Sequence, residues 1–467
     1  MKSPSKKRAF VIFVVIVGFF ILLFIQPFRR KWIAPVPGVD LTPASPSQSP
    51  GDVQPGSAWD LIGRAGAELA RIHFAARPDY DKFHDEVEFF NSEPWTDSAF
   101  PTSAQYLAMS GTALDLMRQA SRATDKRVPD YGPTGHVPYM EYGMTLVSLL
   151  TASAAKKAAQ ADYDGAYADL DAVFDYGDVL ERGPSLINTI IGIGNKSIAL
   201  NHMRYIALQN AVPGEVAIKT IRYLEAAEKA GEPLEESFRM EARKMPAYAD
   251  MIADGKFAIF PEQIPEWLGK RPGLIMLLTA SSRRQMRDDA GATFSQMIFI
   301  VSQPYDRERL RKFDRIFEPP LEGPQLWAGT TDPPGYLWME SFSLLAREYI
   351  IEHNNTIAAL RITEVELAIG QFEQNEKHPP ASLGELAPKY FSMVPLDPYD
   401  GKPLRYKVRQ DGTWIVYSVG ANQTDDGGLK SGSTFDYDAP GDIVFSSAEA
   451  TEQLKKIEEW RKKAHHR

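Results

Sequence analysis

Cysteine is absent from all 467 residues. Its absence excludes disulfides, thiolate metal sites and cysteine nucleophiles, and leaves stability to side-chain packing. An excess of positive charge is missing too. The formal net charge is -9, and only the two ends of the chain are locally basic. Neutralising phosphates requires Lys and Arg concentrated on one face, so nucleic acid is excluded as a partner. Catalytic signatures are lacking as well: there is no HExxH, no serine elbow and no dinucleotide fingerprint. GIGNK at 192–196 lacks the Gly-Lys-Ser/Thr ending of a phosphate loop and sits in a helical pattern, where its glycines suit close helix packing.

Long apolar runs are scarce, and the one that qualifies stands near the start. AFVIFVVIVGFFILLFI, residues 9–25, is an unbroken stretch of 17 residues, about 26 Å long as a helix and enough to span a bilayer core. Lys2, Lys6, Lys7 and Arg8 precede it; Arg29, Arg30, Lys31 and the interfacial Trp32 follow. The charge bias favours a cytoplasmic N-terminus, and QPFRRKW offers no small-residue cleavage site. Residues 1–32 are therefore predicted to be a cytoplasmic tip and an uncleaved transmembrane signal-anchor. The expected location is the cytoplasmic (inner) membrane, crossed once, with the bulk of the chain on the periplasmic or extracytoplasmic side. PGLIMLLTA (272–280) and TFSQMIFIVS (293–302) are too short to span and read as buried helix segments.

What the chain does contain is helical periodicity. After a Pro/Ser/Gly-rich stalk at 33–57, residues 58–336 read as an irregular helical bundle. Leu61, Ala65, Leu69, Ile72 and Ala76 recur at steps of three and four, residues 78–101 read as irregular, and a single helix is expected over 103–123. An Ala-rich hairpin follows, with ADYDG as its break and Asp164-Gly165 as its turn. Further helices are expected after Gly183-Pro184 and over 213–230. The spacing of the breaks does not repeat regularly, which argues against a solenoid.

Residues 337–446 read as a small α+β domain. A long helix over 337–374 is stopped by Pro379-Pro380, SLGELAPKYF forms a short helix, and PLRYKVR and TWIVYSV pair through an Asp411-Gly412 turn. DIVFS closes the sheet. The tail at 447–467 carries Leu454, Ile457 and Trp460 on one face of a basic amphipathic helix. The fold class is therefore mainly α: an N-terminal transmembrane helix, a helical-bundle ectodomain and a small domain of one long helix plus an antiparallel sheet.

The order of NEKHPPASLGELAP, VPLDPYDGKPLRYKV, IVYSVGAN, an acidic glycine-rich loop and DIV resembles the globular domain of the major pseudopilin of type II secretion systems over residues 345–446. The rest is similar to a group of bacterial single-pass membrane proteins that carry this cassette, for which the resemblance implies a fold and a location but no activity. It further implies a calcium ion in the loop before the last strand, with Asp425, Asp426, Asp436, Asp438 and Asp442 as ligands and the carbonyl of Ser418 in reach. Asn422 stands where the pseudopilin loop has an Asp and joins the set as a neutral donor, and GLKSGSTF lengthens the loop. Hard oxygens and Gly427-Gly428 suit calcium. The membrane helix is remote from the long helix and holds no Glu, which argues against assembly into a pilus.

Other constellations are weaker. His73, His84, Asp85, Glu86 and Glu88 read as a solvated acidic face. Asp171, Asp175 and Asp178 share a helical face and read as an exposed charged stripe. His136 in YGPTGHVPYMEY, with Glu141 nearby, marks an alternative in which the protein is an envelope hydrolase. The reading favoured by the sequence is a non-enzymatic membrane protein that displays its ectodomain for protein–protein interaction in secretion or envelope assembly.

Overall fold

The structure is a computed structural model that describes residues 35–43, 48–76, 79–87, 95–132, 140–209, 212–253, 283–317, 333–431 and 437–446. The expected membrane segment at 9–25 and the tail at 447–467 lie outside these residues. Among the described residues no helix is long and apolar enough to cross a membrane.

The described chain is mainly helical with one small antiparallel sheet. Its elements are α1 (Ala58–Ala76), α2 (Tyr80–Val87), α3 (Pro101–Met109), α4 (Gly111–Arg122), α5 (Met140–Ala159), α6 (Tyr163–Glu181), α7 (Leu186–Gln209), α8 (Gly214–Ala230), α9 (Leu234–Ala253), α10 (Arg283–Val301), α11 (Arg307–Phe317), α12 (Pro333–Glu376), β1 (Arg405–Val408), β2 (Trp414–Ser418) and β3 (Ile443–Ser446). The chain falls into two compact units. One comprises Met1–Thr42, Ala242–Ile300 and Glu308–Arg347; the other comprises Pro43–Glu241, Val301–Arg307 and Glu348–Arg467. This grouping differs from the chain-order division at 336/337, because the sheet shares its unit with the helices of residues 58–241.

In the first unit α10 buries Phe294, Met297 and Ile298, and α11 buries Leu310 and Phe313. TFSQMIFIVS thus begins as a buried stretch of helix, as its length required. Arg287 donates to both carboxylate oxygens of Asp250 at 2.6 Å, and the Val36 N–H reaches Ser295 Oγ at 3.0 Å.

The largest apolar core of the second unit runs from its helices into its sheet. Leu69, Leu149, Leu170, Leu200 and Ile221 from the helices join Leu360, Val365 and Ile369 of α12, and these join Leu404, Trp414 and Val416 of the sheet. Each such fully buried side chain contributes about 1.5–3 kcal/mol. Gly177 of α6 and Gly192 of α7 let the two helices touch: a Cβ on either would come within 2.5 Å of the other's carbonyl oxygen. The close-packing role read for GIGNK thus falls on Gly192, whereas Gly194 faces open space.

In the helices of residues 58–241 local structure departs from the sequence reading at three places. The helix expected over 103–123 is two helices broken at Ser110, whose hydroxyl donates to the Tyr106 carbonyl at 2.8 Å and so turns a backbone acceptor away from the ladder. The stretch 78–101 contains α2, and Glu86 near its end accepts the Thr102 and Ser103 N–H groups at 3.0 and 2.7 Å, capping α3. In the α5–α6 hairpin the turn is Gln160–Asp162, not Asp164-Gly165. Ala161 takes φ +61°, and the Asp162 carboxylate accepts the Gly165 N–H at 3.0 Å, which draws Asp164-Gly165 into the first turn of α6.

The C-terminal module follows its pattern more closely. α12 ends at Glu376, Lys377 takes φ +66°, and the prolines follow. SLGELAPKYF gives only a 3-10 turn, Leu383–Leu386. β1 pairs antiparallel with β2 in the register Arg405↔Tyr417, β2 pairs antiparallel with β3 in the register Ser418↔Ile443, and the sheet order is β1-β2-β3. Gly412 takes φ +82° in the Asp-Gly turn. Every residue of β2 is buried: Trp414 and Val416 join the core with α12, whereas Ile415, Tyr417 and Val444 form a second cluster.

Candidate functional site

The loop from Val419 to Asp442 is anchored at both ends by carboxylates. Asp397, fully buried, accepts the Val419 N–H at 2.8 Å, the Ser418 hydroxyl at 2.8 Å, the Tyr399 N–H at 3.0 Å and Arg405 at 3.1 Å. Arg405 also pairs with Asp400. Burial raises the Asp397 pKa and its hydrogen bonds oppose the rise. Further along, Gln423 donates to the Tyr399 carbonyl at 2.6 Å and Tyr305 donates to the Ala421 carbonyl at 2.8 Å.

The residues proposed as ligands meet backbone donors in this loop. Asp442, buried, accepts the Asp426 N–H at 3.2 Å and the Gly428 N–H at 2.6 Å. Burial pushes its pKa up, against the pull of those two N–H groups. Asp426 accepts the Asn422 amide at 3.0 Å and the Gly441 N–H at 2.6 Å, and these hold its carboxyl below the usual range. Asp425 accepts the Tyr417 hydroxyl at 3.1 Å and the Gly427 N–H at 2.9 Å. Asp438 is exposed, and Asp436 lies outside the described residues.

Calcium requires about six to eight oxygens pointed at one spot. Among the described residues no three acidic or His side chains are placed to hold a metal ion. The described carboxylates meet the loop's own donors, two of them on Asp426 Oδ2 and two on Asp425 Oδ1. Gly428 has a different duty from the one the sequence suggested. At φ +86° it lies on the far face of β2, where a Cβ would meet Ile415 Cδ1 at 2.4 Å, while the Gly427 carbonyl accepts the Lys407 ammonium at 3.0 Å.

α7, α12, β3 and the loop itself line a half-open pocket of about 270 Å3. Ala359, Ile443, Val444 and Phe445 give it apolar walls; Asn201, Glu352, Asn355, Asn422, Lys430 and Asp442 give it polar points. Most of those points are already engaged. Asn355 accepts the Tyr399 hydroxyl at 2.6 Å, Asn422 and Asp442 belong to the loop network, and the Arg204 guanidinium, 3.3 Å from the Phe445 ring centroid, pairs with Glu366 at 2.6 Å. Glu352 has only the Asn355 amide, at 3.4 Å. Burial raises its pKa, and Glu348 one turn earlier adds to the rise.

The remaining candidates resolve differently. Asp171, Asp175 and Asp178 are not an exposed stripe: Asp178 is buried, and Lys126, Arg182 and Lys196 approach it at 3.5, 3.2 and 3.6 Å, while Asp175 pairs with Lys126 at 2.9 Å. The helix turns that face inward because α7 and the Lys126 loop supply cations for it. Of the acidic stretch after α1, Asp85 is exposed, Glu86 is the cap described above, and Glu88 and the side chain of His84 lie outside the described residues. His136 and the side chain of Glu141 lie outside them as well. Asp397 escaped notice in the sequence, although an Asp between prolines in PLDPYDG hints at a built turn. Glu352 gave no signal, since the residues around it come from α7 and from a loop about 70 residues later.

The fold and this loop define a mainly helical protein with a three-stranded antiparallel sheet packed on its longest described helix. Comparison with protein-family models, with curated proteins and with solved structures returns no match.

Proposed function

We propose that the protein is a non-enzymatic, single-pass envelope protein, held in the cytoplasmic membrane through residues 9–25, that presents its sheet module to a protein partner in secretion or envelope assembly. The module's likeness to the pseudopilin globular domain enters here as support, on the motifs of residues 345–446. The proposal does not run through a calcium ion.

The observation that carries the reading is where apolar surface is left uncovered. Of eight large apolar side chains exposed among the described residues, four, Met393, Leu396, Val408 and Leu429, fall within the short module, and the other four are scattered from Phe74 to Phe299. β1 is also an edge of the sheet, so its outer N–H and C=O groups offer a pairing template. An edge strand beside exposed Val408 suits an extended segment of a partner.

A photo-crosslinking residue placed in the full-length, membrane-inserted chain tests this. Positions 408 and 429 are expected to capture the same protein, and positions 74 and 187 are not. Capture from all four positions alike, or from none, contradicts the reading.

A further inference from the structure

The Pro/Ser/Gly-rich stretch that follows the expected membrane segment is not a free stalk over residues 35–42. Val36 donates its N–H to Ser295 Oγ of α10 at 3.0 Å. Ser295 is buried, and its own hydroxyl donates to the Ala292 carbonyl at 2.7 Å. One turn earlier on the helix, Leu41 Cδ1 lies 3.8 Å from where a Cβ on Gly291 would stand. Both contacts fall within one compact unit. As the chain runs from 36 to 41 it passes from Ser295 back to Gly291, so it comes in from the C-terminal end of α10.

Chain length turns that contact into a position. Val36 comes four residues after Trp32, the interfacial residue that closes the membrane segment, and four residues at full extension reach about 14 Å. With the hydrogen bond added, Ser295 is held within about 17 Å of Trp32. A helix is about 10–12 Å across, so little more than one helix fits between Ser295 and the interface. On the same face, one turn beyond Ser295 and toward the end from which the chain arrives, stands Phe299, 38% exposed. A large apolar ring in that place suits the headgroup boundary of a bilayer. We infer that the C-terminal end of α10 rests on the lipid surface, with Phe299 in the headgroup region. The inference rests on residues 9–25 lying in the bilayer, and it concerns a different surface from the sheet edge offered to a protein partner.

Single-cysteine labelling tests it, since the chain has no cysteine of its own. The full-length protein, labelled with the fluorophore NBD, is reconstituted in phosphatidylethanolamine–phosphatidylglycerol vesicles with and without a headgroup nitroxide, which quenches only at close range. A label at Phe299→Cys is expected to lose most of its emission to the nitroxide. So is one at Gln296→Cys, which sits on the same face and leaves the aromatic ring in place. A label at Arg284→Cys, about 22 Å further along α10, is expected to keep its emission. Gly18→Cys, within the expected membrane segment, controls for the anchor, and its label is expected to emit at the blue-shifted wavelength of a membrane interior. Unquenched labels at 299 and 296, or equal quenching at 284, overturn the inference while a shifted label at 18 leaves the anchor standing. A label at 18 that emits as in water removes the anchor and the inference with it.

Discussion

The helical region and the sheet module both bury carboxylates, and they satisfy them differently. On the helices the partners are side chains: Asp169 meets Arg118 at 2.6 Å and Lys157 at 2.7 Å, and Glu181 meets Lys196 at 2.8 Å. In the module backbone N–H groups enter as partners, two each at Asp397 and Asp442. The reason lies in the backbone. Helix-interior N–H groups are consumed by the i−4 carbonyl, so a carboxylate turned into a bundle must find a cation or stay protonated. A glycine-rich loop has N–H groups to spare. On the helices Glu364 and Asp171 each keep a buried oxygen without a hydrogen-bond partner.

The largest break in this comparison comes from removing a carboxylate that holds cations. Asp169 is fully buried and accepts Arg118, Lys157 and the Ser153 hydroxyl. Asp169→Ala strands two partly buried cations and should cost about 3–5 kcal/mol. Urea unfolding followed by circular dichroism measures it, and a loss under about 1 kcal/mol would show that the ion network is ornamental.

Legibility in the sequence divides along the same line. Element types followed from periodicity and turn chemistry: the stripe of α1, the Asp411-Gly412 turn and the proline stop after α12 are local signals. So was the Gly-bounded β2. The failures are tertiary. Asp171, Asp175 and Asp178 read as solvated because the sequence does not show that Lys126 and Lys196 come to meet Asp175 and Asp178. The break at Ser110 was missed because one hydroxyl on the Tyr106 carbonyl outweighed a helix-favouring composition. Loop residues 422–442 were recognised as a built site, but the sequence does not show that the loop's own N–H groups reach Asp426 and Asp442.

A second effect, of opposite sign, follows from Glu364. Burial, reinforced by Glu228 and Glu225, pushes its pKa up to about 9, and Arg361, which might have answered it, is turned to Glu228 at 2.6 Å. The folded state therefore holds a proton that the unfolded chain releases above the model-peptide range, so this group's contribution is full below about pH 4.5 and is lost as pH rises toward 9. Asp171, pushed up to about 8 mainly by burial, acts in the same direction. His202 and His353, both lowered to about 4 by burial, act oppositely but only below about pH 6.5. Between pH 6.5 and 9 Glu364→Gln should flatten the decline in stability and gain about 1–3 kcal/mol at pH 8, and adding Asp171→Asn should flatten it further. Parallel pH profiles for wild type and variant would refute a proton on Glu364.

The smallest expected effect bears on the loop itself. Asp442→Asn keeps one carbonyl oxygen but turns an amide donor toward either the Asp426 or the Gly428 N–H, so one backbone donor loses its acceptor. The expected cost is about 1–2 kcal/mol, read as a fall of a few degrees in melting temperature. If backbone donors are the true partners of Asp426 and Asp442, that cost is the same in EDTA and in about 5 mM calcium, because an ion has no oxygens to gather. An ion in the loop predicts the contrary: wild-type melting temperature rises with calcium, and the penalty of Asp442→Asn widens with it. The difference between those two pairs of melting curves separates a loop held by its own N–H groups from one that waits for a cation.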